Sequence, residues 1–266
     1  MSATAANKVV LITGGTSGIG RATAFAFAKA GAKVVIAARG AERGEETLGE
    51  LQRLGADARF VQVDVSDSAQ VQTLIRESVT VFGRLDCAVN NAAAPTGALS
   101  ATADFTEQEF DQVVAANLKS VWLCLKYEIR QLLIQQPVGG AIVNVSSING
   151  LGAARNGSLY SACKAGVLAL TKAAAQEYSK KDLRVNALVA GAFDTPMLNG
   201  LWDRASGGNA EARSAIEKFY TQLVPLGRVG RPEEAAEAIL WLCLEGASYV
   251  TGHSMIVDGG ITSPFR

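Results

Sequence analysis

The chain has a single histidine, His253, and its four cysteines, at 87, 124, 163 and 243, are scattered with no CxxC pair. That scarcity argues against a zinc or other metal site and against a disulfide scaffold, and it fits a reducing compartment. Neither sign of charge is in excess: 25 basic residues stand against 25 acidic ones, so no general field draws the chain to nucleic acid or an anionic membrane. Long hydrophobic runs are missing too. The longest near the C-terminus is AILWLCL at 238–244, far short of a membrane span, and the opening MSATAANK lacks the apolar core of a signal peptide. A soluble, cytoplasmic protein is the expectation.

What the chain does have is a recurring alternation. Short runs rich in valine and isoleucine appear as VVLIT (9–13), VVIAA (34–38), ARFVQVDV (58–65), LDCAVN (85–90), AIVNVS (141–146) and LRVNALVA (183–190). Between them lie longer stretches with helical periodicity and charged faces, AERGEETLGELQRLG and DSAQVQTLIRESVTVFG among them. The first four runs start roughly 25 residues apart, the spacing of successive βα units. Being apolar on both faces, they require helices on both sides of a parallel sheet. The expected fold is therefore α/β: a single doubly wound, Rossmann-type domain over residues 1–266, with about seven strands between two helical layers.

The alternation breaks between about 193 and 225, where NG, SGGN and the aromatics Phe193, Trp202, Phe219 and Tyr220 occur. This reads as a long irregular insert, a lid or substrate loop. Order resumes at Pro232, which with Glu233 and Glu234 makes a good helix start.

The turn TGGTSGIG (13–20) follows the first strand directly and opens a helix. Gly14, Gly18 and Gly20 permit a tight turn and close approach of a pyrophosphate, and the helix N-terminus offers unpaired N–H groups to that anion. The second strand ends Ala37-Ala38-Arg39-Gly40, without the carboxylate that would bind a ribose 2′-OH. Arg39 is placed instead to pair with a 2′-phosphate, so NADP(H) is favoured over NAD(H), with Glu42 nearby as the opposing consideration. Further along, SLYSACKAG (158–166) sets Tyr160 and Lys164 one helical turn apart on one face.

TGGTSGIG, NNAA (90–93) and YSACK (160–164), taken together, resemble the single-domain short-chain dehydrogenase/reductases. The likeness runs nearly end to end and includes Asp64 in VDV, Asn117 in DQVVAANLKSVWL, Ser147 thirteen residues before Tyr160, AGAFDTPM (190–197), PLGRVGRPEE (225–234) and TGHSMIVDGG (251–260). The resemblance implies an oxidoreductase in which Tyr160 is the general acid of ketone reduction and the base of the reverse reaction. Lys164 would lower the tyrosine pKa and hold the nicotinamide ribose, Ser147 would bind the substrate oxygen, and Asn117 would hold a water that links Lys164 to solvent. It further implies a dinucleotide on Gly14, Thr16, Ser17, Gly18, Ile19 and Gly20, with Asp64 and Val65 at adenine, Asn91 and Ala92 beside the cofactor, and Thr195 at the carboxamide.

Two departures stand out. Ala93 replaces the glycine of the usual NNAG, which should alter a turn near the active-site floor, and Ala190-Gly191 replaces the usual PG, which should leave the next loop less constrained. Candidate substrate contacts are Met197, Leu198, Leu201, Trp202 and Phe219, with Ala94, Asn149, Leu151 and Ala153, and with Arg155 and Arg204 as the available cations. They favour a neutral, partly apolar ketone or secondary alcohol as the small-molecule partner. The apolar helix AAEAILWLCL and strand SMIVDGG, together with the resemblance, lead to the expectation of a homotetramer. His253 and the cysteines read as structural. The competing readings are an NAD-dependent sugar or polyol dehydrogenase, a 3-oxoacyl thioester reductase, and a non-catalytic dinucleotide sensor.

Overall fold

Strand β1 (Val9–Thr13) is buried along its whole length, as its unbroken VVLIT run requires. The computed structural model describes residues 4–263. Around β1 lie β2 (Lys33–Ala38), β3 (Ala58–Gln62), β4 (Cys87–Asn90), β5 (Gly140–Ser147), β6 (Leu183–Ala190) and β7 (Ser254–Val257). They form one seven-stranded parallel sheet in the order β3-β2-β1-β4-β5-β6-β7. The order reverses between β1 and β4, the position at which doubly wound sheets open a crevice at their carboxyl ends.

Alternate strand residues feed two cores. On one face Val10, Ile12, Val34, Ile36, Val89 and Val143 pack with Phe27 of α1 (Gly18–Lys29), Leu51 of α2 (Ala41–Arg53) and Ile239 of α9 (Pro232–Cys243). On the other, Leu11, Val35, Ala88 and Ile142 pack with Leu74 of α3 (Ser68–Phe82), Leu125 of α5 (Ser120–Ile134) and Val167 of α6 (Ser158–Tyr178). All four cysteines are buried and unpaired, and Cys87 and Cys243 belong to the first of these cores. His253 immediately precedes β7, where its backbone bonds Ala187 and the Asn186 side chain.

The helix carrying Asn117 is not uniform. α4 (Glu107–Val114) starts with a capping box between Thr106 and Glu109, then passes through a π-helical segment, Ala115–Lys119, into α5. Such widened turns are often found at functional sites.

Residues 193–225 are where structure and sequence expectation part. The insert is not irregular but two helices, α7 (Pro196–Ser206) and α8 (Ala210–Leu223). Thr195 caps α7 by accepting from the Leu198 N–H at 3.3 Å, with Pro196 in the first turn. Gly207 ends α7 in a left-handed conformation, and Asn209 caps α8 through Ala212 at 2.8 Å. SGGN is thus a stop followed by a start. Arg213 ties the two helices together, pairing with Asp203 and Glu217 and lying over the Trp202 ring. The loop entering the insert is also firmer than its missing proline suggests. Phe193 pairs with Gly230 as an isolated bridge, and the Asp194 N–H donates to the Gly230 carbonyl at 2.8 Å.

At the far edge, α9 buries most of its apolar residues against α1 and the sheet, which accounts for its composition within the chain. Trp241, Tyr249 and Ile256 remain exposed along that edge. Among the described residues, no helix is long and apolar enough to cross a membrane.

Candidate active site

A cleft of about 820 Å³ runs across the carboxyl ends of the strands, from the tip of β2 to the insert helices. Its floor begins at the glycine-rich turn. Thr13 at the end of β1 accepts the Asn91 and Ala92 N–H groups on its hydroxyl at 3.1 and 3.2 Å, and the Asn91 side chain donates back to the Thr13 and Gly14 carbonyls, both at 3.2 Å. Gly14 has φ +66°, and a Cβ there would lie 2.8 Å from Asn91 Nδ2, so this turn admits only glycine. Thr16, Ser17, Gly18 and Ile19 line the cleft, with Gly20 just behind them. Ser17 caps α1 without spending its side chain on the helix, leaving the first N–H groups open to an anion in the cleft. Thr195 reaches this turn from the opposite wall: its methyl is the nearest atom, at 3.0 Å, to a Cβ built on Gly18.

At the adenosine end, exposed Arg39 is joined by Arg43, which the sequence reading did not single out. Arg43 lies in the first turn of α2, while Arg39 precedes the extended N-cap Gly40, so no helical spacing links the two in the sequence. Glu42 lies in the first turn of α2 and does not line the cleft. Asp64 and Val65 close this end beyond β3. Burial raises the Asp64 pKa, but the Ser66 N–H and hydroxyl, together with the Arg39 charge, outweigh it and hold the carboxyl below its usual value. A glycine cradle, an open helix N-terminus and cations at one end fit a phosphorylated dinucleotide.

Tyr160, Lys164 and Ser147 meet on the opposite side of the cleft. α6 is pinned where it matters: Ser146 donates to the Lys164 carbonyl at 2.8 Å, and the Tyr160 N–H donates to the Gly97 carbonyl at 3.2 Å. Gly97, at φ +81°, sits so close that a Cβ would lie 2.8 Å from Val113 and 3.0 Å from Tyr160 N. Neither Ser146 nor Gly97 has a sequence motif to announce it. Lys164 is buried, and its Nζ donates to the Val145 carbonyl at 2.9 Å while lying 5.6 Å from the centre of the Tyr160 ring. Burial lowers its pKa to about 8. Burial also pushes Tyr160 up to about 12, with the Ser147 hydroxyl pulling the other way. The expectation that Lys164 brings the phenol below its ordinary value is therefore corrected. Desolvation of both groups outweighs the one-turn spacing.

Asn117 is buried and does not line the cleft; its side chain accepts from the Ala94 N–H at 3.0 Å and donates to the Val113 carbonyl at 3.2 Å. It thus fixes the loop after β4 to the π segment, and Ala116 and Ser120 line the cleft there. Ala93 is not among the left-handed residues, so its replacement of glycine costs no backbone strain.

The insert helices cover the remaining end. Met197, Leu198, Leu201 and Arg204 line it with Ala94 and Asn149. Trp202 turns inward onto Tyr220, ring centroids 5.3 Å apart, and Phe219 faces out; Tyr220 and Leu223 take the places expected for them. Leu151, Ala153 and Arg155 lie outside the cleft. Arg204 donates to the Pro95 carbonyl at 3.2 Å, tying α7 to the loop after β4.

The chain is similar to known proteins over nearly its whole length. The family model described as Enoyl-(Acyl carrier protein) reductase matches residues 14–262. A short chain dehydrogenase/reductase of Aspergillus oryzae is 39% identical over 96% of this chain and 95% of its own length. A 2,5-dichloro-2,5-cyclohexadiene-1,4-diol dehydrogenase of Sphingobium indicum is 36% identical over 96% of this chain and 97% of its own. Among solved structures, a variant actinorhodin polyketide ketoreductase with NADPH superposes with a TM-score of 0.91 at 33% identity, covering 97% of this chain and 98% of that one.

Proposed function

The chain belongs to the short-chain dehydrogenase/reductase family, and from that premise we propose that it transfers a hydride between NADP(H) and a neutral, partly apolar ketone or its secondary alcohol. The observation that carries this reading is the convergence of Tyr160, Lys164 and Ser147 on one side of a cleft whose other end bears Arg39 and Arg43. The nicotinamide, when bound, supplies the hydride. The chain supplies the proton and the field. Tyr160 Oη, a protonated phenol at neutral pH, is the general acid toward a carbonyl oxygen. Ser147 accepts from the Asn149 N–H at 3.2 Å, and its hydroxyl proton, bonded to Tyr160 in the protein alone, turns to the substrate oxygen as charge develops there. Lys164 spends one N–H on Val145 and keeps two for the phenol and the ribose. The Asn117 side chain spends one N–H on Val113 and one lone pair on Ala94, and its second N–H and the backbone of the π segment are left for a water relay. Thr195 and the residues of the glycine-rich turn hold the cofactor.

The missing acid at the tip of β2 and the two arginines there support NADP(H) over NAD(H). The apolar insert wall supports a substrate without charge, and the ring diol named for the Sphingobium relative extends this to a ring-borne secondary alcohol. Exposed Trp241, Tyr249 and Ile256 along the β7 edge support a homotetramer, which light scattering in solution tests. We place the protein in the cytoplasm. The deciding experiment follows NADPH oxidation with cyclic ketones, sugars and a 3-oxoacyl thioester. We expect turnover with the cyclic ketones and, for Tyr160→Phe, a loss of about 10²–10⁴-fold with dinucleotide binding retained. Binding without turnover, unchanged in Tyr160→Phe, would instead identify a dinucleotide sensor.

A further inference from the structure

Under the carboxyl ends of β4 and β5, on the face covered by α5 and α6, four buried polar side chains form one line of hydrogen bonds. Asn90 Nδ2 donates to Glu128 Oε2 at 2.9 Å and to Asn144 Oδ1 at 3.0 Å. Asn144 Nδ2 donates to Thr171 Oγ1 at 2.9 Å, and Thr171 donates to the Val167 carbonyl at 2.8 Å. None of the four is more than 2% exposed. Two buried atoms in this line have no partner, Asn90 Oδ1 and Glu128 Oε1, and they are the remaining oxygens of the two planar groups already joined at 2.9 Å.

A buried carboxylate needs a cation or a full set of donors, and without them the group takes up a proton instead. Glu128 makes no ion pair among the described residues. The elements packed on it bring no charge: α6 presents Thr171, β4 Asn90, β5 Asn144, and α3 buries Val71, Leu74, Ile75 and Ser78 toward α5. On its own helix the titratable neighbour is the buried Cys124 thiol, itself raised by burial and by Glu128. Lys126 and Arg130 lie over the Tyr127 ring rather than on Glu128.

We propose that Glu128 is a neutral carboxylic acid whose O–H donates to Asn90 Oδ1, closing an acid–amide ring that holds the ends of β4 and β5 in place. One proton satisfies both orphaned oxygens, and Asn90 then uses both N–H groups and its carbonyl. Reversing the Asn90 amide does not remove the need for a proton, and it would also set the Asn90 oxygen against Asn144 Oδ1 at 3.0 Å. Its oxygen would then face Glu128 Oε2 at 2.9 Å, a contact that again requires a proton between two acceptors. Burial pushes the carboxyl up to about 7 even though the Asn90 N–H opposes the shift.

The consequence reaches the cleft through the next residue on each strand. Asn91 clamps the glycine-rich turn, and Val145 supplies the carbonyl that holds Lys164. Glu128 is thus a positioning residue, and its ionisation loosens both clamps.

Glu128→Gln tests this, because an amide reproduces both bonds of the ring and cannot titrate. The folded pKa is raised from 4.5 to about 7, so the native state holds the extra proton in that window and wild-type stability falls as pH rises through it. The folding constant of Glu128→Gln should gain on wild type by up to about two orders of magnitude across the window and level off above it. NADPH affinity, by equilibrium titration, should weaken in wild type relative to Glu128→Gln above neutral pH. Parallel stability curves overturn the protonated acid, and an affinity ratio that does not move with pH overturns the positioning role. If Glu128→Gln fails to fold, the infrared spectrum of the wild type decides. A protonated-carboxyl stretch must persist at about pH 6, where exposed carboxyls have ionised; its absence refutes the proposal.

Discussion

Replacing Lys164 by methionine should abolish turnover and yet stabilise the free protein. Lys164 is 3% exposed, and burial takes its pKa from 10.5 to about 8, with the neighbouring Cys163 opposing the shift. A shift of that size corresponds to about 3 kcal/mol charged against the folded state. Methionine fills similar volume without that charge, but it leaves the Val145 carbonyl, now paired with Nζ at 2.9 Å, without its donor. An orphaned buried carbonyl costs about 1–3 kcal/mol, so Lys164→Met should be about 1 kcal/mol more stable than the parent near neutral pH. The sign with pH follows from linkage. The lysine pKa is lowered on folding, so below about 8 it is charged in both states and the penalty is in full force; the penalty disappears as pH rises from about 8 to 10.5. Denaturant unfolding of both proteins across that range, without ligand, gives the difference directly. Titrations of groups away from Lys164 are common to both proteins and cancel; that of Cys163, which the Lys164 charge lowers, rises in the variant. The advantage of Lys164→Met should shrink by about 3 kcal/mol over the window and reverse, since only the orphaned carbonyl remains. A variant less stable near neutral pH, with a stability difference that does not change with pH, would refute the reasoning.

The other expectations are shorter. Arg39→Ala should remove about 1.5–3 kcal/mol of charge-assisted hydrogen bonding, raising KM for NADPH at least tenfold and barely moving KM for NADH; steady-state kinetics with both cofactors checks this. Gly97→Ala forces a left-handed backbone and crowds Val113 and Tyr160 N, so we expect about 1–3 kcal/mol lost in unfolding. Because Gly97 touches α6 and not the glycine-rich turn, its kcat should fall while NADPH affinity holds.

The strands were legible because parallel strands are buried on both faces and show as unbroken Val and Ile runs. The run ARFVQVDV extends to residue 65, whereas β3 ends at Gln62; the Val63 N–H still bonds the Ala38 carbonyl at 2.9 Å, and the chain leaves the ladder at Asp64, whose carboxylate accepts from the Ser66 N–H. The insert departs from expectation for a local reason. Gly207-Gly208 reads as loop composition, whereas Thr195-Pro196 and Asn209 on either side are helix starts. Which aromatic faces the cleft was not readable, because Trp202, Phe219 and Tyr220 belong to two helices whose mutual rotation is set by packing and by Arg213. The site residues could be located by motif, but Asn117 could not be oriented, since nothing in AANLK announces a π turn.

Proton placement shows the same divide between position and environment. Spacing alone makes Tyr160 and Lys164 a phenol and an ammonium within reach, and at constant solvation their attraction would favour a phenolate. Burial changes the order in which the pair gives up protons. With Lys164 near 8 and Tyr160 near 12, rising pH first discharges the lysine, so the phenolate–ammonium state is not the one that alkali populates in the protein alone. Below about 8 the pair is a protonated acid beside a cation, the form that ketone reduction requires. In the reverse direction the tyrosine must lose a proton that its surroundings hold more tightly than water does, which makes a charge-stabilising donor at Ser147 a requirement for the oxidative direction more than for the reductive one.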